Sequence, residues 1–217
     1  MGMHDLLPPQ VRLKLTTSLF WVVAILVLLT AMLLDTHVVR IGSAENVQEQ
    51  VFSPAAFANT QFPIIQTDIV NRAVDINVLY KAIAADKKVA GEKYGVASGI
   101  GPVIPVFFTG IIKEGKSGIF KISIQGFPEK PLIRVQTGPA VNGTDIRDAT
   151  GDIEFGQFKN QIEYQNVGSA LNNVVKTQVL ASIDHKNLMG KVVKVVGVFK
   201  LINPKSWLIT PVKFEVQ

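Results

Sequence analysis

A run of twenty uncharged residues, Leu15 to Leu34, constrains this chain more than any other feature. It contains no Gly and no Pro, and its polar groups are hydroxyls that can bond back to helix carbonyls. As a helix it rises about 30 Å, which matches the hydrocarbon thickness of a bilayer. Helices in soluble cores rarely stay apolar on every side over this length. The run therefore predicts a transmembrane helix over residues 15–34, with the lipid bilayer as its partner.

The charges that flank this run predict its orientation. Arg12 and Lys14 precede it, whereas Asp35 follows directly. Positive residues favour the cytoplasmic side, so the N-terminus is expected in the cytoplasm and the rest of the chain outside it. A cleaved signal peptide has a shorter apolar region followed closely by a small-x-small site, but Gly42 and Ala44 lie well past the run. These features predict an uncleaved signal-anchor of a single-pass inner-membrane protein, divided into a cytoplasmic tail (1–14), the anchor (15–34), a juxtamembrane connector (35–50) and an exported domain (51–217).

Composition narrows the classes of exported domain. The chain has no Cys, so neither a disulfide nor a lipid attached through cysteine is expected, and stability must come from an ordinary hydrophobic core. The net charge of +5 is mildly basic. Nucleic-acid binding requires basic residues clustered with aromatic ones, whereas the lysines here are dispersed. No nucleic-acid partner is expected.

Hydrophobic periodicity predicts an α+β domain. Ser53-Pro54 is typical of a helix start, and a short helix is expected from Pro54 to about Asn59. A new segment is expected to begin at Pro63. Spacings of three and four residues predict two main helices, from Pro63 to about Tyr94 and from about Asn160 to Ile183. Strands are predicted at Val103–Ile112, Ile119–Gln125, Leu132–Thr137, Lys191–Leu201 and Trp207–Val216, with a turn at 113–118 and an edge or bulge at Pro211. Short antiparallel strands must curl to hide their edges, so a small, partly open barrel interrupted by a helix is expected.

The densest polar segment lies between residues 138 and 161. Arginine offers a planar fork that can bind a carboxylate or a sugar diol. One interpretation is a ligand site formed by Thr144, Arg147, Asp148, Asn160 and Gln161. The alternative is structural: Arg147 pairs with Asp148 or another carboxylate and braces the junction between barrel and helix.

The sequence contains no convincing catalytic constellation. There is no Cys nucleophile and no serine in a nucleophile-elbow pattern. The three histidines, His4, His37 and His185, are far apart in the sequence, and a metal site needs three or four convergent ligands. Two close carboxylates can serve as acid and base in glycosidases, but the polar segment lacks an aromatic substrate platform. A non-enzymatic protein without cofactor or metal is expected, and a glycan hydrolase remains a remote alternative.

Three stretches resemble a bacterial family of unknown function described as predicted periplasmic lipoproteins. They are GTDIRDATGDIEFGQFKNQIEYQNVGSALN (Gly143 to Asn172), the helix that ends between Asp86 and Gly95, and the ending GKVVKVVGVF…ITPVKFEV. The resemblance implies an exported pseudo-barrel similar to an oligonucleotide/oligosaccharide-binding (OB) barrel, often encoded beside sugar ABC-transporter components. It carries over no catalytic residue. The chain departs from the family in lacking the lipobox Cys and in keeping a full apolar run instead.

Two functional hypotheses follow. The first is a tethered periplasmic accessory protein that contacts the permease or the solute-binding protein of a sugar ABC importer, since tethering raises the effective concentration near a membrane partner. The second is direct binding of a small sugar or carboxylate by the barrel, with Arg147 and Asp148 gripping the ligand.

Overall fold

The computed structural model describes residues 9–36, 52–185 and 187–217. The predicted tail before residue 9 and the predicted connector over residues 37–51 lie outside these ranges. The chain divides into two units, residues 1–51 and 52–217.

The described residues of the first unit form helix α1 (Pro9–Asp35), of 27 residues. From Leu19 to Thr36 every side chain except that of Ala24 is exposed, including Leu33 at 77% and Leu34 at 83%. The Thr30 hydroxyl donates to the carbonyl of Leu26 at 2.7 Å, the back-bonding expected of hydroxyls in this run. Within the described part of the chain, no helix reaches the combination of length and apolarity that crossing a membrane requires.

The second unit is α+β, as predicted. Its helices are α2 (Pro54–Arg72), α3 (Ile76–Ala85), α4 (Lys87–Tyr94), α5 (Asp145–Asp148) and α6 (Gln161–Val174), which continues as a π-helical turn over Val175–Val179. Its strands are β1 (Val74–Asp75), β2 (Val103–Lys116), β3 (Ile119–Ser123), β4 (Leu132–Gln136), β5 (Val192–Lys200) and β6 (Ser206–Val216).

Strands β2 to β6 form the predicted barrel, in the order β2-β3-β4-β6-β5, and β5 pairs back onto β2. Only β4 and β6 run parallel, while the other barrel neighbours are antiparallel. Strand β2 can close the barrel because it is long: Val103–Ile111 pairs with β5, and the part from Ile111 onward pairs with β3. Strands β3 and β4 share only three residue pairs, so the barrel is least complete there.

The barrel interior is filled by aromatic and branched side chains. The rings of Phe199 and Trp207 are stacked with centroids 4.7 Å apart, and both residues are fully buried. The indole N–H of Trp207 donates to the carbonyl of Pro204, so burying its polar atom leaves no unpaired donor. Helices α2 and α6 pack against each other beside the barrel.

The predicted boundaries fail mainly between residues 54 and 94. The helix begun at Ser53-Pro54 does not stop before Pro63 but continues to Arg72, because the buried stripe Ala58, Phe62, Ile65 and Ile69 runs through it without interruption. The predicted single helix from Pro63 to Tyr94 is wrong. The chain becomes extended at Ala73 and again at Asp86, and Asp75 and Asp86 cap the new helices α3 and α4 by accepting backbone N–H groups.

The hairpin between β2 and β3 is tighter than predicted. The expected turn at 113–118 shrinks to Ser117 and Gly118, whose φ angles of 54° and 76° fit a two-residue hairpin turn. Lys113 to Lys116 are strand residues that are exposed to solvent, which explains why they resembled a turn. The predicted irregularity at Pro211 is confirmed, because the β5–β6 register shifts between Val196 and Gly197, where Gly197 pairs with Pro211.

Candidate functional site

The short helix α5 brings the centre of the polar segment into the protein. It has only four residues. Gly143, which precedes it, has a backbone φ angle of 104°, a conformation that residues other than glycine rarely adopt. The amide of Asn172 on α6 donates to the carbonyl of Gly143 at 2.8 Å and so fixes the approach to α5. The polar contacts of α5 then extend to α6 through Arg147 and to β5 through Lys200.

Asp148 is the centre of a nearly buried polar network. Its Oδ2 accepts from the hydroxyls of Thr144 (2.7 Å) and Ser98 (3.0 Å) and from the ammonium of Lys200 (3.1 Å). Its Oδ1 accepts from Nε of Arg147 at 2.8 Å. Only 9–13% of the side chains of Arg147, Asp148 and Lys200 is exposed. The network therefore joins the loop before β2, helix α5 and the end of β5.

The two carboxylates of this network respond differently to their surroundings. Burial by itself raises the pKa of Asp148, but hydrogen bonds from Thr144, Arg147 and Lys200 outweigh burial and leave that pKa below its ordinary value. Burial raises the pKa of Asp145 to about 6, because its ion pair with Lys200, at 3.9 Å, offsets only part of the desolvation. Asp148 is thus held ionised, while Asp145 titrates in the mildly acidic range.

Arg147 has the structural role that was one of the two interpretations of the sequence. Besides pairing with Asp148, its Nη1 donates to the carbonyl of Tyr164 at 3.3 Å, and its Cζ lies 3.7 Å from the centroid of the Tyr164 ring. This geometry is a cation–π contact. The guanidinium links α5 to α6 and so braces the junction between barrel and helix.

The five residues proposed from the sequence separate into two groups. Thr144, Arg147 and Asp148 meet in the network. Asn160 instead caps α6, since its Oδ1 accepts from the N–H of Glu163 at 2.9 Å, and Gln161 is an exposed residue in the first turn of that helix. Asn160 therefore stabilises the start of α6, and Gln161 is its neighbour in that helix.

A cavity of about 380 Å³ opens beside Arg147 and Asp148. Aromatic residues that sequence reasoning did not include in the site form part of its wall: Tyr164 and the half-exposed Phe155, whose ring centroids are 5.7 Å apart. Ser98 and Glu154 also line it. The sequence did not indicate that these residues line one cavity, because Ser98 precedes the barrel whereas Glu154, Phe155 and Tyr164 follow β4. Within the described parts of the chain, no three His, Cys, Asp or Glu side chains are arranged to hold a metal ion.

A larger groove, of about 920 Å³, lies between α4 and the glycine-rich loop before β2. Ile100 in that loop is 75% exposed. Val89 on α4 and Ile202 after β5 are 56% and 52% exposed. Ser98 and Gly99 border both this groove and the cavity beside Arg147.

Comparison with known families gives one match over most of the chain. Residues 22–215 match the family described as "Predicted periplasmic lipoprotein (DUF2291)". The chain belongs to this family. The description agrees with the family resemblance of the sequence and with the predicted location of the domain outside the cytoplasm, and it assigns the family no activity. No curated protein matches the chain.

Comparison with solved structures supports the barrel. The chain is similar to an OB-fold protein from Thermotoga maritima, with a TM-score of 0.63 and 20% identity, over 77% of this chain and 100% of that one. At this identity the likeness concerns the fold alone. The strand order and the helix α6 between β4 and β5 of this DUF2291 member are those of an OB barrel.

Proposed function

We propose that this protein is a non-enzymatic accessory module, anchored in the cytoplasmic membrane by its uncharged N-terminal run with its barrel in the periplasm, that contacts the permease or the solute-binding protein of a sugar ABC importer. The anchor is supported by the uncharged run Leu15 to Leu34 and by the exposure of the apolar side chains described from Leu19 onward. Such side chains are stable in lipid and costly in water. The importer is proposed from the family resemblance.

The observation that carries the proposal is the groove beside the glycine-rich loop. Apolar atoms form most of its wall, charged residues of α4 and its N-cap border it, and Ile100 extends from the loop with three quarters of its surface exposed. Contiguous exposed apolar surface is typical of sites that bind other proteins. A weak contact suffices here, because an anchored module meets its membrane partner at high effective concentration.

The hydrogen bonds and ion pairs that already occupy Asp148 and Asp145 argue against a catalytic role. Asp148 accepts hydrogen bonds from four side chains and is held ionised, so it is poorly suited to transfer a proton at neutral pH. Asp145, the carboxyl with a raised pKa, is paired with Lys200. We therefore assign Asp145 and Asp148 a role in stabilising the domain.

The contact can be tested by photo-crosslinking in cells. A photoreactive amino acid at position 100 of the full-length chain is expected to capture a permease or solute-binding protein, identified by mass spectrometry. The same substitution at Ile64, which is 61% exposed on α2, is the matched control. The proposal is wrong if position 100 captures no importer component, or if both positions capture the same proteins equally.

A second function, binding of a small sugar or carboxylate, is favoured by the cavity beside Arg147. Aromatic rings can stack on the apolar face of a sugar ring, and Phe155 and Tyr164 stand beside Glu154 and Ser98, which can bond hydroxyl groups. The volume of about 380 Å³ is within the range of small-molecule sites.

This second function predicts that a sugar raises the melting temperature of the full-length chain in detergent, since a ligand that binds only the folded state stabilises it. Phe155→Ala is expected to abolish the shift, and this exposed residue can be changed without disturbing the Asp148 network. Val89→Ala, also at an exposed apolar residue, is the control. A sugar panel without any shift would remove this candidate and leave the accessory role untouched.

A further inference from the structure

The outer surface of β2, β3 and β4 carries a second cluster of charged residues, away from the Asp148 network in sequence and in contacts. A cavity of about 390 Å³ opens there, lined by Glu114, Gly115, Lys116, Ile119, Lys121 and Arg134. Three of these side chains are cationic and one is anionic, so the lining carries a net positive charge. The proposed accessory role uses none of these residues.

Two of the cations are direct neighbours across the sheet. Lys121 on β3 pairs with Arg134 on β4 in antiparallel register, which places both side chains on the same face. Like charges at such positions repel each other. Lys121 is partly neutralised, because it forms an ion pair with Glu114, and its hydrogen bond holds the pKa of Glu114 below the ordinary value. Arg134 forms no such ion pair with the residues that the structure describes.

Arg134 also has a buried donor without an acceptor. Its Nη2 donates to the hydroxyl of Ser206 at 3.1 Å, but its Nε is inaccessible to solvent and has no hydrogen-bond partner among the described residues. Leaving a buried donor unpaired is costly, so the guanidinium of Arg134 is incompletely paired by the described residues. An anion in the adjoining cavity would balance the charge of the Arg134 guanidinium and relieve its repulsion with Lys121.

We propose that this cavity binds a small, doubly charged anion, with Arg134, Lys121 and Lys116 as its ligands. A phosphomonoester and a dicarboxylate share the required chemistry, since a guanidinium binds either group through paired N–H donors. The cavity volume fits a small molecule. The described residues that line it include no aromatic ring, so a nucleobase or a neutral sugar would find no surface on which to stack.

The test uses the full-length chain in non-ionic detergent and three probes: glucose 6-phosphate, succinate and glucose. We expect glucose 6-phosphate or succinate to raise the melting temperature and glucose to leave it unchanged. Arg134→Gln is expected to abolish the shift. Because Arg134 is partly buried, Lys116→Gln, at an exposed residue, provides an independent variant. It should raise the dissociation constant of the anion about tenfold, measured by calorimetry.

Lys81→Gln is the matched control, because it removes one positive charge from an exposed position on α3. The proposal is overturned if neither anion binds, or if Lys81→Gln weakens binding as much as Lys116→Gln does. A further arm adds phosphatidylglycerol to the micelles. Stabilisation by this lipid alone, without any effect of the soluble anions, would assign the cavity to a lipid headgroup and overturn the proposal of a soluble ligand.

Discussion

Cζ of Arg147 lies 3.7 Å from the centroid of the Tyr164 ring, while Nε of the same guanidinium donates to Asp148 at 2.8 Å. One side chain thus holds α5 against α6. A helix as short as α5 has little stability of its own, because helix nucleation is unfavourable. The loop that contains it is therefore ordered by contacts that the Arg147 and Asp148 side chains make with the rest of the domain.

Arg147→Lys is expected to lower the free energy of unfolding by about 2–3 kcal/mol, measured by urea denaturation. A lysine keeps the charge but cannot bond Asp148 through two nitrogens and also cover the Tyr164 ring. The loss is large because the carboxylate of Asp148 stays buried with fewer donors. Lys194→Arg, at an exposed position on β5, is the control and should change the stability by less than about 0.5 kcal/mol. Equal effects of the two variants would show that the Arg147 contacts are unimportant.

Asp145 predicts a pH-dependent component of stability. Its pKa is raised from 3.8 to about 6, so between these values the folded state binds more protons than the unfolded state. The stability that this group contributes is fully present below about pH 4 and is lost as the pH rises through 6. The lowered pKa of Asp148 gives the opposite trend, in which stability falls as the pH decreases.

Asp145→Asn isolates the first effect, because the amide does not titrate. The free energy of unfolding of the variant minus that of the original protein should be more positive at pH 7.5 than at pH 4. The change should be about 2–3 kcal/mol, the free-energy equivalent of the pKa shift. Urea denaturation of both proteins at the two pH values provides the measurement. An identical pH dependence of the two proteins would contradict the burial of Asp145 as the cause.

The positions of most strands and helices were predictable from the sequence, whereas the breaks between helices α2, α3 and α4 were not. The barrel strands alternate or carry β-branched runs, and α6 keeps its apolar spacing from the first turn. The region after Ser53 also keeps helical spacing, but across three separate helices, so periodicity alone cannot locate the breaks. The missed signals were Asp75 and Asp86, which are the N-caps of α3 and α4.

The candidate site was predictable only in part, for a physical reason. Thr144, Arg147 and Asp148 are neighbours in the chain, so their convergence could be inferred from sequence. Lys200 and Ser98 reach Asp148 from positions 52 and 50 residues away, which only the closure of the barrel brings together. Asn160 has the residue type of a ligand-binding group, but the same amide oxygen is equally suited to cap a helix.

Gly197 is expected to be essential for the β5–β6 bulge. A Cβ at this position would lie 2.5 Å from the carbonyl oxygen of Thr210 and 2.7 Å from Cγ2 of Ile209, closer than real Cβ contacts. Gly197→Ala should therefore lower the free energy of unfolding by about 1–3 kcal/mol, as overpacking does. Gly99→Ala is the matched control, because a Cβ there would have no atom within 4 Å. Comparable stabilities of the two variants would mean that the strands can separate at the bulge without cost.

Pro63 provides a test of helix α2, which the sequence predicted to stop before this residue. A proline inside a helix removes the hydrogen bond to the carbonyl four residues earlier, here that of Asn59, and costs about 3 kcal/mol relative to alanine. The buried stripe from Ala58 to Ile69 outweighs this cost in the native fold. Pro63→Ala restores the N–H and is expected to raise the free energy of unfolding by about 1–2 kcal/mol, less than the full penalty because proline also restricts the unfolded chain. Thr60→Ala, on the same exposed surface of α2, should stay within about 0.5 kcal/mol of the original protein. If Pro63→Ala instead destabilises the domain in urea denaturation, the helix requires the proline's bend, and an uninterrupted α2 is not the conformation in solution.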